Sequence, residues 1–81
     1  MAEQEIIELT KNALAEEFEV DTEVITPNAD IKQTLELDSL GLVDLVALLE
    51  MTFGTKIKGT ELSSVKTFKE LFEFLQLRVN V

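Results

Sequence analysis

The chain has 81 residues, 46% of them hydrophobic, a net charge of −9, and neither histidine nor cysteine. These totals exclude disulfides, thiolate metal sites and the usual neutral-pH acid–base side chain. They leave one small domain, residues 1–81, held together by packing, whose acidity disfavours nucleic acid and anionic lipid as partners.

Residues 3–19 read as the first helix. Ile6, Ile7, Leu9, Ala13, Leu14 and Phe18 fall on one face, and Glu5, Glu8, Asn12, Glu16 and Glu19 on the other. A long connection follows, roughly 20–37, with a turn at Thr26-Pro27-Asn28. Its apolar residues, Val20, Val24, Ile25, Ile31, Leu35 and Leu37, predict that it packs on the core, with a helical turn near Ile31–Leu35. The second helix spans 39–53, from an Asp38 N-cap to Gly54 just past its last turn. Residues 54–59 are a connection with Ile57 turned inward, and Thr60–Ser64 form one short turn. Thr67-Phe68-Lys69-Glu70 is a capping box that opens the last helix, in which Phe68, Leu71, Phe72, Leu75 and Val79 line one face. The pattern predicts an all-α fold: a small four-helix bundle of three longer helices and one short one, with a long loop between the first two.

The 39–53 helix carries two apolar stripes. Leu42, Leu45, Val46, Leu49 and Phe53 belong to the core; Leu40, Val43, Ala47 and Met51 point elsewhere, flanked by Asp44 and Glu50. So few helices cannot cover every side of one of them, and an exposed apolar stripe rimmed by charge marks a docking face. Ser39 falls on the first helical residue. There, free N–H groups and the positive end of the helix dipole favour an attached anion. With no base to activate it, this serine is a poor nucleophile and a good anchor for a phosphate ester.

Other chemistry is missing. Gly41, Gly54 and Gly59 are scattered and form no phosphate loop, and no catalytic triad can be built without histidine or cysteine. Around Asp21 the apolar Val24 and Ile25 stand where a calcium loop needs ligands, so no metal is expected. Glu16 and Glu17 are adjacent on a helix and point apart. The acidic N-terminus shows neither a secretory nor a transit pattern, and Asp44 and Glu50 interrupt the one long apolar run. A non-catalytic, soluble, cytoplasmic monomer is expected.

Leu35-Glu36-Leu37-Asp38-Ser39-Leu40 is similar to the L-G-x-D-S-L motif of the acyl carrier proteins. Val43-Asp44-Leu45-Val46, Leu49-Glu50, Phe53-Gly54, and the spacing of Ile57, Val65, Phe68 and Phe72 extend the resemblance over roughly 6–76. The resemblance implies 4′-phosphopantetheine, taken from coenzyme A, on Ser39 beside Asp38, with acyl groups held as thioesters on its sulfur. It implies service to fatty-acid or related polyketide, aryl or specialised lipid biosynthesis. The implied partners are a phosphopantetheinyl transferase and acyl-loading and acyl-consuming enzymes with basic docking patches, met through Leu40, Val43, Asp44, Ala47, Glu50 and Met51. It also offers Leu45, Val46, Leu49, Val65, Phe68 and Phe72 as lining for a sheltered acyl chain, with ordinary core packing as the alternative for each.

The sequence departs from the family in several places. Glu36 replaces the usual glycine, so a differently built turn is expected there. Gly41 stands where fatty-acid carriers have an acid, Met51 and Thr52 where they often have more, and Lys56 and Lys58 replace an acid and a proline. A different or narrower partner set is expected. Asp-Ser-Leu-Gly is also similar to D-alanyl and aminoacyl carriers. A cofactor-free helical adaptor, binding through Leu40, Val43, Ala47 and Met51, is the competing class.

Overall fold

The computed structural model describes residues 2–80; Met1 and Val81, the last residue of the apolar Val79-Asn80-Val81 end, lie outside it. The helices are α1 (Glu3–Phe18), α2 (Ile31–Leu35), α3 (Ser39–Phe53), α4 (Gly59–Ser63) and α5 (Phe68–Val79), with a 3-10 turn at Thr22–Val24. The three longer ones stand where the periodicity puts them. The short ones number two, because the turn expected near Ile31 closes into a helix of its own. Asp30 caps it, accepting the Gln33 N–H at 2.9 Å.

The long connection is held to the start of α5. Ile31 N–H donates to the Lys66 carbonyl at 2.8 Å, Phe68 N–H to Ala29 at 3.2 Å and Lys69 N–H to Pro27 at 2.9 Å. Ile25, Ile31 and Leu35 are buried beneath it, whereas Val24, expected as an anchor, is exposed. The 3-10 turn carries the Val24 side chain outward, and the next residue, Ile25, takes the inward place.

The core is formed by Ile6 and Leu14 of α1, Leu45 and Leu49 of α3, Leu62 of α4, and Phe68, Leu71, Phe72 and Leu75 of α5, joined by the loop residues. On α1 the expected face is rotated: Leu9 is 40% exposed and Thr10 is fully buried. The buried line runs Ile6, Thr10, Leu14 at intervals of four. The Thr10 hydroxyl is satisfied by donating to the Ile6 carbonyl at 2.6 Å, so its burial costs little. Val79 ends α5 half-buried against the core.

Glu36 has φ 53°, the left-handed conformation in which an L side chain is strained. The turn therefore keeps the shape a glycine would favour, with a glutamate in it. Glu36→Gly is expected to stabilise the fold by about 1 kcal/mol, less the extra entropy of the unfolded glycine, read as a rise in the urea midpoint. No change or a fall would mean that Glu36 makes a compensating contact.

The capping box of α5 forms as expected. The Glu70 carboxylate accepts the N–H groups of Thr67 at 3.0 Å and Lys66 at 3.1 Å. These bonds hold its pKa below the ordinary 4.5. A depressed folded pKa stabilises fully above the unfolded value and is lost as the pH falls below 4.5 through the lowered one. In acid titrations followed by circular dichroism, Glu70→Gln should therefore lose less stability below pH 4.5 than the parent. Parallel acid limbs would refute this.

Candidate functional site

The corner between α2 and α3 is built from three features. Glu36 reverses the chain. Leu37 N–H then donates back to the Lys32 carbonyl at 2.9 Å. Asp38, extended at φ −105°, caps α3 by accepting the Gly41 N–H at 2.7 Å. Gly41 matters here: a Cβ on it would lie 3.0 Å from Leu37 Cδ2. Its lack of a side chain lets half-buried Leu37 lie against the first turn of α3. The sequence marks Gly41 only as a departure from family habit, and this packing reason becomes visible in three dimensions.

Ser39 is exposed on the first residue of α3. Asp38 uses its carboxylate on Gly41 and its carbonyl on Leu42, the latter at 3.0 Å. The N–H groups of Ser39 and Leu40 have no acceptor within the helix, as at any helix start. The serine Oγ makes no hydrogen bond among the described residues and is open to a modifying enzyme. An exposed hydroxyl beside free N–H donors fits a phosphodiester.

The second stripe of α3 is bare. Leu40 is 73% exposed, Val43 64% and Met51 82%, with Ala47 and Asp44 exposed between them. Glu50 behaves differently from Asp44, the other acid of this helix. It is half-buried, and its Oε2 accepts the Ile57 N–H at 2.8 Å, so that it ties down the connection after α3. No sequence pattern signals that bond, which joins residues seven apart.

The expected acyl-lining residues divide. Leu45, Leu49, Phe68 and Phe72 lie in the closed core, and Val65 packs against it half-buried. Val46 borders open space: an apolar groove of about 310 Å³, lined by Leu42, Val43, Val46, Ala47, Glu50 and Gly59. The groove runs from the first turns of α3 toward α4.

The profile of the phosphopantetheine attachment site family matches residues 8–75, which contain this whole arrangement. The chain is 34% identical to an acyl carrier protein of Thermosynechococcus vestitus, an alignment covering 98% of each chain. It is 34% identical to one from Lactobacillus acidophilus, over 94% of this chain and 95% of that one. The chain belongs to the acyl carrier proteins. A further member, acyl carrier protein 2 of Ralstonia nicotianae, is 36% identical over 94% of each chain. Like other members, this carrier takes a covalently attached 4′-phosphopantetheine, and its partners include a phosphopantetheinyl transferase and acyl-handling enzymes. Among the described residues, no helix is long and apolar enough to cross a membrane, and no acidic cluster is placed to hold a metal ion.

Proposed function

We propose that Ser39 is the attachment point, and that the carrier, itself non-catalytic, delivers acyl thioesters to biosynthetic enzymes of fatty-acid or related lipid pathways. The observation that carries this reading is the exposed Ser39 Oγ in the first turn of α3. The bound group supplies a terminal thiol, which a chain without cysteine lacks. Asp38 holds the first turn of α3 in register, and the free N–H groups of Ser39 and Leu40 would favour the negative charge of a phosphodiester on Ser39.

Leu40, Val43, Ala47 and Met51, with Asp44 beside them, form the surface that partners meet, and the groove beside Val46 shelters the cargo. Basic partner patches are drawn to the uncompensated acids of residues 1–40. Glu50 contributes mainly by shaping the groove, since its carboxylate is engaged with Ile57. Intact-mass analysis after co-expression with a phosphopantetheinyl transferase tests the reading. One added phosphopantetheine, mapped to the Ser39 peptide, is expected. A protein that stays unmodified and still captures a partner would be an adaptor instead.

A further inference from the structure

Arg78, near the end of α5, holds three things at once. Its guanidinium forms an ion pair with Glu61 of α4, donates from Nη1 to the Lys56 carbonyl at 3.0 Å, and lies 5.1 Å from the centre of the Phe74 ring. Glu61 completes the link: its other oxygen accepts the Lys58 N–H that starts α4, at 3.1 Å. Of 16 acids and seven bases in the chain, this is the only ion pair among the described residues. It joins the connection after α3, the start of α4 and the end of α5.

This clasp bears on the groove. Gly59, the first residue of α4, forms one wall of it, next to Lys58. Behind Val46 the core is closed, with Leu45 2%, Leu49 0% and Leu62 3% exposed. A cargo larger than the groove gains room when α4 moves off α3, carrying Leu62 and the Lys56–Gly59 segment with it. The polar contact that opposes this from α5 is the clasp. The Glu50 bond to Ile57 braces the same segment from α3.

We propose that the Arg78–Glu61 clasp limits the size of the sheltered cargo, and that this carrier shelters short or compact acyl groups rather than long chains. The groove, about 310 Å³, is lined on one side by α3 and Gly59 and open on the other, so a chain that outgrows it leaves methylenes in solvent and adds no further shelter. The inference rests on the carrier reading given above.

The test is a cargo series. Acetyl, butyryl, hexanoyl, octanoyl and dodecanoyl groups are installed from the corresponding coenzyme A esters with a phosphopantetheinyl transferase, and each product is confirmed by intact mass. The melting temperature of each is compared with that of the same variant carrying unacylated phosphopantetheine, which cancels any basal loss of stability. In the parent protein the gain should rise through the short esters and level off within the series, dodecanoyl adding nothing over octanoyl. In Arg78→Gln it should keep rising, dodecanoyl exceeding octanoyl by about 4 °C or more. Glu61→Gln, which retains an acceptor for Lys58, supplies the same comparison if Arg78→Gln does not fold. Superimposable length dependences in parent and variants overturn the clasp. Failure of every ester to load overturns the carrier reading itself.

Discussion

Ser39→Ala is expected to abolish phosphopantetheine attachment completely while leaving the fold untouched. The loss is all-or-none because a methyl group offers no oxygen to the incoming phosphorus. No other hydroxyl stands at the start of α3: Thr34 is half-buried, Thr26 lies in the turn of the long connection, and Thr52, near the far end of α3, has its Oγ1 bonded to the Leu48 carbonyl at 2.7 Å. The fold should survive because the Ser39 hydroxyl makes no bond to lose, and alanine is at least as good a helix former. The stability change should lie within about 0.5 kcal/mol. Mass spectrometry and a melting curve on the same sample decide the matter. A variant that still gains the group, or one that unfolds, would remove Ser39 from the role given to it.

Phe68→Ala should have the largest effect on stability. Phe68 is the bulkiest fully buried side chain and opens α5, where its N–H is bonded to the Ala29 carbonyl of the long connection. Removing a buried phenyl ring costs about 3–5 kcal/mol. Domains hold about 0.05–0.15 kcal/mol per residue, which for this length is about 4–12 kcal/mol in all. The variant should be close to unfolding at room temperature, seen as a large drop in the urea midpoint. Leu40→Ala is the matched control: Leu40 is 73% exposed, and its loss should change stability by less than about 0.5 kcal/mol. A mild Phe68→Ala would show that the core can collapse around the gap, and would restore Phe68 as a candidate for the cargo space.

Local signals in the sequence account for most of the architecture. The Asp38 cap, the Gly54 terminus and the Thr67–Glu70 box are each contained in a few consecutive residues, and the helices they bound match. The errors have a common origin. Leu9 and Thr10 exchange places because the hydrophobic content of α1 is judged residue by residue, while burial follows the direction from which α3 and α5 approach. Val24 and Ile25 exchange places because a short 3-10 turn obeys no helical period. Glu36 was expected to alter its turn, yet its backbone takes the left-handed shape regardless. At the site, Ser39 and its exposed stripe were legible from helical spacing. The groove was not: it depends on Gly59, Glu50 and Ile57, which periodicity does not link. The Arg78 clasp crosses 17 residues to Glu61 and 22 to Lys56, beyond any local rule.

With a single ion pair among the described residues, the fold draws little from charge pairing; the acids it does use, Asp30, Asp38, Glu50 and Glu70 among them, bond to backbone N–H groups. Folding and addressing are thus separate problems in this molecule. A new client enzyme could be accommodated by exchanging, one at a time, the solvent-facing acids and lysines that cap no helix, each change nearly silent for the interior. Small helical shuttles of this kind can be rerouted through evolution while their architecture stands still.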